Sequence, residues 1–244
     1  MKVISISEIG TKRTENQDRV SAFVFDDGAA CAVICDGMGG ENAGSEASST
    51  AISIITDVLK RGYASCRNTD DIFDLMNSAI LAANDYVYSI SLKNPKKTGM
   101  GTTCVMAIVN GSGAYFANVG DSRAYILSDN SLRQISVDHS IVQSMIDGGE
   151  ITAEEALRHP KRNLITRAVG VVKDVTVDFF TEQLSDGMSV MLCSDGLCGY
   201  CGEEDIRSLL CSGKISEETL TELKNLARSE GSTDDTTIAA IITD

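Results

Sequence analysis

Four acidic side chains stand where apolar runs end. Asp36 follows CAVIC and opens DGMGG, Asp121 follows YFANVG, Asp195 follows VMLCS and precedes Gly196, and Asp234 sits in STDD just before TTIAAII. The small residues beside them let backbone or ligand approach closely. If those four ends meet, ionised carboxylates a few Å apart repel strongly in a partly buried site and must take up protons or surround a cation. No His lies in any of the four motifs, and ligation by oxygen alone selects Mg²⁺ or Mn²⁺ over zinc or copper. The same absence excludes a Ser-His-Asp arrangement unless His139 or His159 takes part. Two or more hard cations bind phosphate oxygens, lower the pKa of a bridging water and align the resulting hydroxide for in-line attack on phosphorus. Arg13, in TKRTENQD, has the forked guanidinium that would hold the remaining phosphate oxygens. Taken singly, an Asp-Gly after an apolar run is a turn and an Arg is a surface residue; the conjunction carries the chemistry.

The thiols give a second candidate chemistry. Of 8 Cys, Cys31, Cys35, Cys104 and Cys193 sit in apolar runs, where a reduced thiol serves as a small core residue in a cytosolic protein without disulfides. Cys198 and Cys201 form one Cys-x-x-Cys, but a zinc or redox site there needs a fourth ligand from Cys211, His139 or His159. They read as incidental thiols.

The elements that must position these residues follow from composition and pattern. The 244 residues are 43% hydrophobic with 2 Pro, enough apolar material for one core, and no linker or repeat divides residues 1–244. A net charge of −14 would repel a nucleic-acid backbone, so no nucleic-acid partner is expected. No apolar run approaches the roughly 20 residues that span a bilayer, and MKVISISEIG lacks the basic region and apolar core of a signal peptide. A cytoplasmic protein without membrane contact, and a monomer, is expected.

Short β-branched and apolar runs predict strands at Ala29–Cys35, Thr102–Val109, Ala114–Val119, Arg123–Leu127, Val175–Phe180, Ser189–Cys193 and Thr236–Ile242. Helical spacing marks Ala43–Lys60 and Asp70–Leu92, the second capped by Thr69 or Asp70, then Glu203–Leu210 and Glu217–Arg228, the last with Ser216 as N-cap and Gly231 beyond its end. Helices come in successive pairs rather than alternating with strands, which predicts an α+β fold of antiparallel sheets covered by helix pairs. Between Asp138 and Gly170 a polar insert carries short helices at Ile141–Asp147 and Ala153–Leu157, with Thr152 and Glu155 spaced as a capping box and Gly148-Gly149 as a hinge. It reads as a surface flap.

RTENQD at Arg13–Asp18, CDGMGG at Cys35–Gly40, GTT at Gly101–Thr103, VGDSRAY at Val119–Tyr125, the flap segment at Asp138–Gly170, CSDGL at Cys193–Leu197 and STDDTT at Ser232–Thr237 occur in that order. Together they resemble the metal-dependent protein phosphatases of type 2C in their compact bacterial form, from Ile9 to Ile242. The resemblance implies a central antiparallel β-sandwich with a pair of helices on each outer face, and hydrolysis of phosphoserine and phosphothreonine in proteins. It implies two core Mn²⁺ or Mg²⁺ ions bridged by Asp36 and completed by the Gly37 carbonyl, Asp195 and Asp234, with Asp18 behind them. Asp121 and Asp195 match a third, weaker metal position, and Arg13 matches the phosphate-binding Arg. A metal-bridged hydroxide would attack phosphorus directly, without a phosphoenzyme, and the metals and Arg13 would stabilise the transferring phosphoryl group.

Three departures touch this site: Met38 where many eukaryotic relatives have His, which leaves proton donation to a metal-bound water; Gln17 where many have Glu; and Asp235 where Asn is usual. The implied partners are the targets of a eukaryotic-type serine/threonine kinase and the kinase itself. A silent phosphoprotein-binding module on the same fold is the first rival, and mutually repelling carboxylates have no reason to persist in one. An enzyme acting on small phosphate esters is the second. No feature of the sequence names the substrate.

Overall fold

The computed structural model describes residues 1–40, 43–128, 131–211 and 215–243. Two antiparallel sheets stack face to face. One places β1 (Lys2–Glu8), β11 (Thr236–Ile242), β10 (Ser189–Cys193), β7 (Arg123–Ser128) and β8 (Ser131–Gln134) side by side in that order. The other runs β2 (Asp18–Val24), β3 (Ala30–Met38), β5 (Cys104–Asn110), β6 (Gly113–Val119), β9 (Asp178–Gln183), and the short β4 (Gly101–Thr102) pairs with the end of β3.

The two-residue period of a strand sorts the side chains into layers. Ala30, Ala32 and Ile34 of β3 and Val105, Ala107 and Val109 of β5 meet Ala124, Ile126, Val190, Leu192, Ala239 and Ile241 of the facing sheet. The alternate residues Cys31, Val33, Cys35, Cys104 and Met106 pack against α1 (Ala43–Gly62) and α2 (Thr69–Lys93). On the other side Tyr125, Met191, Cys193, Ile238 and Ala240 pack against α6 (Glu203–Leu210) and α7 (Glu217–Ser229). Both faces of the central strands are therefore covered, which is why they read as unbroken apolar runs. The result is the four-layer α-β-β-α arrangement expected. Cys198 and Cys201 belong to the α6/α7 core, where they pack as small apolar residues.

Helix ends follow their capping chemistry. Ser216 caps α7 by accepting the Thr219 N–H, and Thr152 and Glu155 make both bonds of a capping box on α4 (Ala153–Ala156). The cap of α2 is Asn68 rather than Thr69 or Asp70; its side chain accepts the Asp71 N–H. Along α2, Ile72, Met76, Ile80, Ala83 and Val87 recur at helical spacing and are buried, and Ile90 is half-buried. Gly148 and Gly149 end α3 (Ile141–Asp147), with Gly149 in the left-handed region at φ +69°, so the pair serves as a helix stop.

Several strands differ from expectation. β1, β2 and β8 were not foreseen. The run Thr102–Val109 is broken at Thr103, whose hydroxyl accepts the Asp36 N–H at 3.0 Å in place of a ladder bond. The expected Val175–Phe180 begins only at Asp178; just before it, Asn84 of α2 donates to the carbonyls of Val172 and Lys173 at 3.1 and 2.8 Å. A four-residue helix, α5 (Asp195–Cys198), follows β10 directly. Among the described residues no helix is long and apolar enough to cross a membrane.

Candidate metal and phosphate site

The acidic residues converge at one end of the sandwich. Asp18 and Asp36 sit opposite each other on β2 and β3. Asp36 is fixed by its backbone: its N–H goes to Thr103 Oγ1, and its carbonyl accepts from Thr103 N and Thr102 Oγ1, both at 2.8 Å. Gly37 follows where no side chain fits, since a Cβ there would lie 2.2 Å from the Gly44 carbonyl oxygen, so α1 starts hard against the end of β3. Met38 is half-buried beside Gly101.

Asp18 is buried, with Oδ2 accepting from Ser194 Oγ at 2.7 Å and Oδ1 left without a partner. Ser194 Oγ also accepts the Thr237 N–H at 3.0 Å, so one hydroxyl joins β2, β10 and β11 behind the cluster. Asp195 opens α5, and Asp121 lies in the turn after β6, preceded by Gly120 at φ +114°.

The electrostatics show how close the group is. Burial, then repulsion from Asp18, Asp195, Asp121 and Asp234, pushes the Asp36 carboxyl well above the ordinary range. Burial, opposed by the Ser194 bond and reinforced by Asp195 and Asp235, pushes Asp18 up to about 7. Burial and Asp234 push Asp195 up to about 6, against a hydrogen bond from Asp36. Asp121 rises well above its usual range through burial and the charges of Asp195 and Asp138. The other three strand-end candidates, Asp121, Asp195 and Asp234, together with Asp18, thus lie close enough to Asp36 for their charges to act on it.

Arg13 stands on the rim, its Nε–H and Nη2–H both donated to Asp234 Oδ1 at 2.9 and 2.6 Å and its Nη1–H to Gln17 Oε1 at 3.4 Å. Asp235 is buried and takes the N–H groups of Gly10 and Gln17 at 2.7 Å each, so it clamps the N-terminal segment. It neither faces solvent nor stands beside Asp234 as a second open carboxylate. Sequence reasoning also missed the roles of Thr102, Thr103 and Ser194, although each lies in a quoted motif; a hydroxyl's partner is set by the fold and leaves no mark on spacing.

Do these residues fit divalent ions? The donors are oxygens only, the suppressed acidity signals uncompensated negative charge, and the orphaned Asp18 Oδ1 is an acceptor without a donor. Among the described residues, no group of three or more Asp, Glu, His or Cys is closed into a ready ligand cage. The reason is visible: Asp234 is turned to Arg13, and Asp18 Oδ2 to Ser194. In donor chemistry the set fits hard cations, with Arg13 neutralising part of its charge.

Residues 138–170 are tied to the cluster at both ends. Val169 exchanges two backbone hydrogen bonds with Thr102, at 3.0 and 2.8 Å, and Asn84 Oδ1 accepts the Gly170 N–H at 2.7 Å. At the other end Asp138 takes the Arg123 guanidinium at 2.8 to 3.0 Å, and His139 bonds to Gly120.

Comparison with known proteins gives concordant matches. A family model described as protein phosphatase 2C matches residues 10–230. The chain is 34% identical over 232 residues to a serine/threonine phosphatase stp of Listeria welshimeri, covering 95% of this chain and 92% of that one. Among solved structures, a serine/threonine phosphatase of S. agalactiae superposes with a TM-score of 0.91 at 30% identity, over 100% of this chain and 99% of that one. The catalytic domain of the serine/threonine protein phosphatase PstP, solved with two manganese ions, gives 0.84 at 31% identity, over 100% and 98%.

Proposed function

This chain belongs to the protein phosphatase 2C family and is a metal-dependent serine/threonine protein phosphatase, and on that premise we propose that it hydrolyses phosphoserine and phosphothreonine at the Asp36 cluster by direct attack of water on phosphorus. The whole of residues 1–244 acts as one phosphatase domain, with residues 138–170 as a flap over the cleft. Asp36, the Gly37 carbonyl, Asp195 and Asp234 would hold two Mn²⁺ or Mg²⁺ ions, Asp121 with Asp195 would hold a third, and Asp18 would back them. Ions bound there supply the positive charge that holds phosphate oxygens and acidifies a water.

The chain's own residues do the rest. Arg13 leaves Asp234 for the phosphate, offering its fork to two oxygens and stabilising charge that grows in the transition state. Thr102 and Thr103 hold Asp36 by its backbone, so the carboxylate is aimed before substrate arrives. No side-chain nucleophile is required, hence no phosphoenzyme forms. The natural partners are phosphoproteins of the cytoplasm, the substrates of a serine/threonine kinase and that kinase itself, met by a monomer.

The observation that carries this reading is the convergence of Asp18, Asp121, Asp195 and Asp234 on Asp36. The test is hydrolysis of a phosphothreonine peptide and of an aryl phosphate with Mn²⁺, with EDTA and with Arg13→Ala. EDTA should abolish turnover of both substrates, and Arg13→Ala should cut kcat/KM by about 100-fold, the scale of losing one donor to the transition-state phosphoryl oxygens. Turnover that survives the chelator overturns the metal site, and rapid hydrolysis of the aryl ester with none of the peptide overturns the phosphoprotein substrate.

A further inference from the structure

We infer that His139, as the Nε2-protonated tautomer, is the positioning residue that aims the Gly120–Asp121 turn from the base of the flap. The inference rests on the assignment of Asp121 to the metal site. Its geometry is independent of that assignment. The Gly120 N–H points at His139 Nδ1 at 3.0 Å, and the Gly120 carbonyl accepts the His139 N–H at 2.9 Å, so the two residues grip each other reciprocally. A backbone N–H can only donate. Nδ1 must therefore carry a lone pair, and the ring proton belongs on Nε2, which lies 3.0 Å from Asp178 Oδ2.

Asp178 is placed to enforce that choice. It is a carboxylate on β9, a pure acceptor, and its other oxygen takes the guanidinium of Arg167 at 2.5 Å. Burial keeps the imidazole neutral, lowering its pKa despite the neighbouring acid. A protonated ring or the Nδ1-protonated tautomer would set N–H against N–H at Gly120, and a flipped ring would set the Cδ2–H there. Gly120 itself cannot be replaced, since a Cβ would lie 2.6 Å from Thr103 Cγ2. The turn is thus wedged against Thr103, which holds Asp36, and pulled by His139, which starts the flap. Outer partners of this kind commonly set ligand orientation.

The two near-isosteres separate the ring's two nitrogens. His139→Asn puts an acceptor where Nδ1 stood and abandons Asp178; His139→Gln keeps a donor toward Asp178 and removes the acceptor. In the wild-type protein at pH 7.5, ¹⁵N spectra of the imidazole should show a bare Nδ1 and a protonated Nε2. The Gly120 amide should exchange roughly tenfold faster in the Gln variant and remain protected in the Asn variant. Calorimetric titration of metal-free protein with Mn²⁺ should show the weakest site loosened by about tenfold in the Gln variant and by no more than about threefold in the Asn variant. An Nδ1-protonated ring in the wild type overturns the inference, as do two variants that lose Mn²⁺ affinity and amide protection alike. Should the Gln variant fail to fold, the wild-type spectrum and the Asn variant decide: a tenfold loss in the latter overturns it. Asp121→Asn with unchanged Mn²⁺ titration would sink the metal assignment instead, leaving the tautomer result standing.

Discussion

In the presence of chelator at pH 7.5, Asp36→Asn is expected to melt about 5 °C or more above the wild-type protein, while its turnover of a phosphothreonine peptide with Mn²⁺ falls at least about 1000-fold. Stability and activity move in opposite directions for one reason. Asp36, Asp18 and Asp195 have folded-state pKa values above the ordinary carboxylate value, the latter two at about 7 and about 6. A group raised on folding contributes stability that is complete below its unfolded pKa and is lost as the pH rises through its folded one. Metal-free wild-type protein should therefore weaken from pH 5 to pH 8. The variant lacks one of these raised acids, the one that Asp18, Asp195, Asp121 and Asp234 all repel, and its amide can still donate to Asp195, so the gap between the two melting curves should widen over the same range. Differential scanning calorimetry across pH in EDTA reads it directly. A variant less stable than the wild type at pH 8 would mean that Asp36 is not crowded by negative charge.

Gly196→Ala should be among the most damaging single-methyl additions in the molecule. The new Cβ would lie 1.8 Å from the Asp235 carbonyl oxygen and 2.9 Å from Thr236 Oγ1. The obstacle is main chain, which cannot swing aside as a side chain does. Moreover, the Gly196 carbonyl already accepts from Ser232 Oγ at 2.9 Å, which pins α5 to the segment carrying Asp234 and Asp235. Relief requires moving Asp195 away from Asp234, so stability should drop by about 3 kcal/mol or more and turnover to about 1% or less. Gly40→Ala, with open space around it, should change stability by no more than about 0.5 kcal/mol. Urea denaturation of both variants tests the pair; equal midpoints would contradict the close packing of α5.

The parts of this fold that the sequence discloses are those where local chemistry and burial agree. β3, β5 and β10 are covered on both faces and stand out as apolar runs; the cap at Ser216 and the box at Thr152 carry their own signatures. β1 and β2 are edge strands of their sheets with half-exposed, partly polar faces, so KVISISE and DRVSAFV lack contrast. The membership of Asp18 in the site came through resemblance alone, and its place opposite Asp36 is visible only in the register of β2 on β3. Asn68, Thr69, Asp70 and Asp71 are all eligible caps, and the path of the chain into α2 chooses among them. Asp234 and Asp235 illustrate the limit best. Adjacent and chemically identical, one faces Arg13 on the rim and the other clamps Gly10 and Gln17 inside, a difference set by the register of β11.

The bonds that complete the cluster join opposite ends of the chain: Arg13 with Asp234, Gly10 with Asp235, and Asp18 with Ser194, which in turn holds Thr237. Loops this long close late and slowly during folding. The cluster is therefore incomplete until β11 has slotted between β1 and β10, so the last-synthesised strand is the one that closes it.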